Sequence, residues 1–226
     1  MTFSVAARCA KTGMFGLSVS SSSPAVTARC AFARAGVGAV ASQNITDPAL
    51  GVQCLDLMED GASAREAINR IVSGTANIDY RQLTAVDAQG QSASFLGKHS
   101  LGIFSVASDT NVVCAGNLLR SEAVPHSMVE AFNATEGDHL GDRLLSAMQA
   151  ALTAGGEAGP VHSAGMILVD KVSWPVADLR IDWHDSGAPI EQLKQVWEIY
   201  EPQLDDYVTR AENPASAPSY GVPGDD

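Results

Sequence analysis

MTFSVAARCAKTGMFGLSVSSSS, residues 1–23, alternates apolar with small polar side chains twice over, and its reading decides the fold. Phe3, Val5 and Ala7 alternate with Thr2, Ser4 and Ala6, and Phe15, Leu17 and Val19 alternate with Gly16, Ser18 and Ser20. A period of two is that of a strand with two distinct faces, and Lys11-Thr12-Gly13 supplies a turn between the runs. The chain therefore opens with a β-hairpin. Its second residue is Thr2, which carries both an α-amine and a hydroxyl if Met1 is removed. Removal is expected, because methionine aminopeptidases favour small second residues. An α-amine titrates near ~7.7–8, so close to neutral pH it can take the proton of its own hydroxyl without a histidine. Threonine also fits here simply as a small second residue, since spacing does not show whether the strand end lies in a pocket.

Working outward, the small, apolar, glycine-bearing run from Phe32 to Gln43 reads as a buried strand, closed by Asn44 and Pro48. Leu50, Cys54, Leu55 and Met58 recur at helical spacing up to Gly61, and Ser63 with Glu66 forms a capping box for a second helix bearing Ile68, Ile71 and Val72. RQLTAVDAQGQSASFLG, residues 81–97, reads as a hairpin turning at Asp87 to Gly90, and another strand is expected around Val112 to Ala115. Met128, Val129 and Phe132, then Leu140, Leu144, Leu145, Met148 and Leu152, give two more helices ending at Gly155-Gly156. Strands follow from Ser163 to Val169 and in ADLRIDWH, residues 177–184. Strands, two helices, strands, two helices, strands is the order of a layered α+β domain, two sheets with helices packed outside them.

Ile190, Leu193, Trp197, Tyr200, Leu204 and Tyr207 make a helical stripe that Pro202 interrupts, so a kink or break is expected near Glu201. The stripe fits the body of the domain or a second subunit, the latter making a homodimer. Past Arg210 the chain holds three prolines and almost no aliphatic residues. Residues 1–210 are accordingly read as one domain and 211–226 as a flexible tail.

A chain of 226 residues with 46% hydrophobic and 18% charged residues builds a sizeable single core. Its net charge of −12 argues against nucleic acid or an anionic membrane as partner, because phosphate binding needs clustered Lys and Arg. No apolar stretch approaches the ~20 residues of a membrane span. The charge is uneven: no acid precedes Asp47, while Arg8, Lys11, Arg29 and Arg34 do. Cys9, Cys30, Cys54 and Cys114 form no CxxC pair and read as buried thiols in a reducing, cytoplasmic compartment. Gly36 to Ala41 matches GxGxxA, but inside a strand rather than between a strand and a helix, so neither a dinucleotide nor another cofactor is expected. Asp178, Arg180, Asp182 and His184 share one strand face. That face is a solvated one with a paired Arg and Asp, a cleft lining, or a two-ligand metal contribution from Asp182 and His184.

The opening hairpin, ARAGVGAVASQN, Pro48 and Gly51, RQLTAVDAQGQSASFLG, the AGN of Ala115 to Asn117, SAGMILV and ADLRIDWH stand in the order found in domain-of-unknown-function family 1028. Over roughly residues 2 to 200 the chain resembles that family, which is grouped by fold with the N-terminal nucleophile (Ntn) hydrolases. The resemblance implies a four-layer αββα sandwich, with Thr2 where Ntn enzymes place their nucleophile and amide hydrolysis as the parent chemistry. It also implies Ser20 beside the first strand, Arg34 near the mouth, and Asn117 as an oxyanion donor. Pro160-Val-His162 stands where family members usually carry an Arg-Gln pair. Two functions are therefore expected. One is an amidohydrolase acting on a small amide or acylated amino-acid-like substrate, with Thr2 and Asn117 catalytic and Ser20, Arg34, Asp178 and Arg180 binding substrate. The other is a non-catalytic Ntn-like domain that binds a metabolite or a partner protein.

Overall fold

A computed structural model describes residues 2–224, so the fate of Met1, on which the reading of Thr2 turns, lies outside the described residues. The opening hairpin forms as its alternation requires: β1 (Thr2–Arg8) and β2 (Phe15–Ser21) pair antiparallel, with Thr2 opposite Ser21 and Arg8 opposite Phe15. A single turn of helix, α1 (Thr27–Cys30), leads into β3 (Ala31–Arg34) and β4 (Gly38–Asn44). The run expected to be one strand is thus a hairpin. Its turn places Gly36 at φ +71°, where L side chains are strained, and Val37 N–H closes it on Arg34 O at 3.1 Å. A stretch of alanine and glycine has no side-chain contrast to mark that reversal.

α2 (Pro48–Glu59) begins at Asp47, whose carboxylate accepts from Ala49 N–H, and α3 (Ala64–Gly74) has the reciprocal Ser63–Glu66 box. β5 (Arg81–Asp87) and β6 (Ser92–Leu96) form the expected hairpin. Asp87, buried at its turn, accepts from Gln89 N–H and Gln91 N–H through Oδ1 and from Ala64 N–H, at the start of α3, through Oδ2. β7 (Ser105–Asp109) and β8 (Val112–Asn117) pair next; the sequence announces only β8, because β7 is a short, partly exposed edge. Then come α4 (Val124–Ala134), α5 (Leu140–Thr153), β9 (Ser163–Val169), β10 (Ala177–Ile181), α6 (Pro189–Tyr200) and α7 (Leu204–Glu212).

Two antiparallel sheets result, one of order β10-β9-β2-β1-β8-β7 and one of order β3-β4-β5-β6. Phe3, Val5 and Ala7 of β1 pack with Met128, Phe132, Leu144 and Met148 of α4 and α5. Residues one step along each strand face the other way, so Ala6, Leu17, Val19 and Val113 meet Ala39, Ala41 and Val86 of the smaller sheet. The outer face of that sheet, Val40, Leu83 and Ala85, is covered by Leu50, Leu55, Ile68 and Ile71 of α2 and α3. Of the four cysteines, all free, Cys30, Cys54 and Cys114 are buried and Cys9 is half-exposed in the β1–β2 turn. Burial pushes the Cys54 thiol up to about 12. At Cys9 burial also acts upward, but Thr12, with the backbone of Thr12 and Lys11 and the charge of Arg143, outweighs it and leaves the thiol below its ordinary value. Among the described residues no helix is long and apolar enough to cross a membrane.

The C-terminal stripe belongs to the chain's own core. Ile190, Leu193, Trp197 and Leu204 are buried with α5 and β10, and a 3₁₀ turn at Glu201–Gln203 carries the break at Pro202. Trp197, 1% exposed, donates from Nε1 to Asp142 at 2.8 Å and lies against Gly141, where no side chain has room. Beyond α7 the chain turns back, and the Arg210 guanidinium stacks 3.9 Å from the Tyr220 ring and donates to Pro218 O and Ser219 O. Trp197→Ala removes the largest side chain of this layer and leaves Asp142 without its donor. It is expected to cost about 3–5 kcal/mol in chemical denaturation.

Candidate active site

The alternation that sends Phe3 to the helices sends Thr2 and Ser4 into the gap between the sheets. That gap is apolar at one end and polar at the other. At the polar end Thr2 is 5% exposed, with Ser21 opposite it on β2 and Asn117 opposite it on β8. Directly opposed residues share a face, so all three side chains point the same way. Thr2 Oγ1 donates to Ser21 Oγ at 3.4 Å, and Ser21 Oγ lies 2.9 Å from Ser23 Oγ. Ser23 Oγ in turn accepts from Arg29 Nη2 at 3.0 Å, and the same guanidinium donates to Pro24 O and Ala25 O. Thr2 therefore heads a line of hydroxyls ending at a cation.

Below Thr2 an array of amides joins the sheets. Ser4 Oγ donates to Gln43 Oε1 at 2.7 Å, and Gln43 Nε2 donates to Gln82 Oε1 at 2.7 Å. Asn117 Nδ2 donates to the same Gln82 Oε1 at 3.1 Å, and Gln82 Nε2 donates to Gly116 O at 2.9 Å. All four side chains are buried, so these bonds satisfy groups that water does not reach. Leu118, next to Asn117, takes φ +51°, an uncommon conformation for leucine. Its N–H reaches Leu101 O and its carbonyl accepts from Ala158 N–H, both at 2.9 Å, which draws residues 157 and 158 against the end of β8.

Of the residues singled out from sequence, Thr2 and Asn117 come together. Ser20 adjoins β1 but opposite Phe3, on the helix-facing side, where its hydroxyl donates to Ser163 O at 2.9 Å. Ser21 is the serine on the Thr2 face, because one step along a strand reverses the side chain. Arg34 pairs with Gly38 at the opposite end of the small sheet from Gln43, and its guanidinium is held by Asp56 at 2.8 Å and Glu59 at 2.6 Å. Asp178 and Arg180 form a bidentate pair with each other, both bonds 2.7 Å, on edge strand β10 with β9 and β2 between them and Thr2. His184 Nδ1 accepts from Ala188 N–H. Among the described residues no group of three or more His, Cys, Asp or Glu is placed to hold a metal ion.

Sequence reasoning passed over Ser4, Ser21, Gln43, Gln82 and Glu157. The first four each lie on a strand, and Ser4 shares the parity of Thr2. Glu157 gave no such signal. It lies in the loop after α5, bridged to Leu119, and is 4% exposed. Burial pushes its carboxyl up to about 7, against the downward pull of the amino-terminal charge and of the Ser22 N–H and hydroxyl.

These features define a mixed α/β domain of two facing antiparallel sheets whose first described residue is a threonine seated among buried hydroxyls and amides. The chain belongs to the family of unknown function DUF1028, which matches residues 2–193. A Silicibacter pomeroyi protein of that family, known from a crystal structure, is 30% identical over 88% of each chain, with a TM-score of 0.81. Anbu (ancestral beta-subunit) from Yersinia bercovieri matches at 12% identity and TM-score 0.38, over 92% of this chain and 97% of that one. Anbu from Hyphomicrobium sp. strain MC1 matches at 11% and 0.40, over 97% and 100%. No curated protein matches the chain.

Gln82 ties together two other side-chain amides and a backbone carbonyl. Gln82→Leu leaves the Gln43 and Asn117 side-chain N–H groups without the acceptor they share in a buried place, at about 1–3 kcal/mol for each. A fall in stability of at least about 2 kcal/mol by urea denaturation is expected.

Proposed function

We propose that this chain is an N-terminal nucleophile amidohydrolase that acts on a small amide or an acylated amino-acid-like molecule. The observation that carries the reading is the seat of Thr2, at the head of the central hairpin strand. Its hydroxyl is bonded to Ser21 and its strand neighbour is a buried asparagine. Helices on the outer faces of both sheets support taking the fold as an αββα sandwich of the Ntn kind.

In this reading Met1 is removed and the α-amine of Thr2 is free. The neutral amine takes the hydroxyl proton as Oγ attacks the substrate carbonyl carbon, forming a C–O bond and an oxyanion. Asn117 keeps one amide hydrogen on Gln82 and has a second to offer that oxyanion, as a primary amide carries two. The C–N bond then breaks, the ammonium gives its proton to the departing nitrogen, and an ester to Thr2 remains. Water attacks the ester, the amine again takes the proton, and the hydroxyl is restored as the acid leaves. A second reading, a binding domain without chemistry, draws on the same amide array, since every member is already bonded within the protein.

Intact mass separates the two at the outset: the enzyme requires a chain one methionine short, and retention of Met1 blocks the amine as an amide. In a screen of small amides, Thr2→Ala is expected to lose all turnover while Thr2→Ser and Thr2→Cys keep part of it. Equal turnover by wild type and Thr2→Ala would place the nucleophile elsewhere.

A further inference from the structure

Glu157 is a buried carboxyl with an unmet need. Among the described residues neither of its solvent-shielded oxygens is given a hydrogen-bond partner, although Ser22 lies near enough to draw its pKa down. A buried carboxylate without a partner is costly, and a fold keeps one where a cation or donor arrives to meet it. No Arg, Lys or His side chain among the described residues fills that role. Arg29 is engaged with Pro24, Ala25 and Ser23, and the His162 ring stacks on Trp183 with Nδ1 at His184 O. The Arg120 backbone donates to Gly156 O at 3.0 Å, but its side chain makes no bond to Glu157.

The position of Glu157 is built by the backbone. Arg120 N–H to Gly156 O, Ala158 N–H to Leu118 O and the bridge from Leu119 to Glu157 lay this segment along the end of β8. Thr2 pairs with Asn117 on one side and Ser21 on the other, so the residues just past its two partners are Leu118 and Ser22. Glu157 sits against both of these flanks, beside Leu119 and with its carboxyl near Ser22. It thus lies at the end of the central strand where Thr2 stands.

We propose that Glu157 receives the α-ammonium of Thr2 in the processed chain and is a positioning residue that holds the amine beside its own hydroxyl. This rests on Thr2 being the mature first residue, as argued above. Carboxyl and amine titrate as a pair: burial disfavours the carboxylate and the ammonium beside it favours it. The amide array holds the strand below Thr2, and Glu157 lies at the end of that strand.

The test uses full-length chain exposed at Thr2 by cleaving a leader fused ahead of it, so that it does not depend on natural removal of Met1. Trace acetic anhydride labels the α-amine at a series of pH values, and mass spectrometry of the N-terminal peptide follows its extent in wild type and Glu157→Gln. A neighbouring carboxylate raises the amine pKa, so the variant is expected to label about tenfold faster near pH 7, a shift of about one pH unit. Superimposable curves would overturn the proposal. If Glu157→Gln does not fold, titration of ¹⁵N-labelled Thr2 in wild type decides alone: an amine titrating at or below the ordinary ~7.7–8 would equally overturn it. Shifted curves without amide turnover would retain the pairing and remove the hydrolase reading, whereas turnover with unshifted curves would do the reverse.

Discussion

One amide, Gln82, bonds across the space between the sheets: it takes hydrogens from Gln43 on its own sheet and Asn117 on the other, and gives one back to Gly116. Side-chain amides span such a gap only where the sheets come close, and closeness requires small residues. Ala6, Ala39 and Ala41 provide them along the apolar stretch of the gap, Ser4 and Ser21 along the polar stretch. Close-packed sheets exclude water, and exclusion of water obliges every polar group there to find a protein partner. Thr2 is seated by both conditions, between Ser21 and Asn117, which are themselves hydrogen-bonded within the protein.

Most of the architecture was legible because its signals are local. Strict alternation gave β1, β2 and β10, the Ser63–Glu66 box gave the start of α3, and Pro202 gave the break after α6. The reversal at Gly36 escaped because alanine and glycine on both arms give no contrast between faces. Strand β7 escaped because an edge facing solvent has little apolar pattern to show. The helical stripe was visible, while its partner, whether its own domain or another subunit, depended on how α6 lies against β9 and β10.

The site was legible to the extent that it lies on strands. Thr2 and Asn117 meet because antiparallel pairing opposes them; Ser20 stands beside the first strand as expected, but it is Ser21, one residue on, that shares the face of Thr2. Arginines were more misleading. Arg34, in the acid-free opening segment, had the look of an unpaired cation, yet the first acids downstream of that segment include Asp56 and Glu59, which neutralise it. Charge balance over a sequence window carries no information on which helix folds back over it. Glu157 was invisible for a related reason: a lone glutamate between glycine and alanine reads as loop, and its burial depends on the left-handed turn at Leu118, far from it in sequence.

Asp87 ties together two parts of the chain that are otherwise separate. Its carboxylate closes its own hairpin turn and also completes the first turn of α3, 23 residues earlier. Until the hairpin has turned, that helix begins with an unmet N–H, and until the helix arrives, one oxygen of a buried acid has no donor. Each element therefore matures the other. The small sheet and its helical cover are consequently a single cooperative unit, in which unfolding of α3 alone would strip Asp87 Oδ2 of its Ala64 donor and uncover the apolar outer face of the sheet.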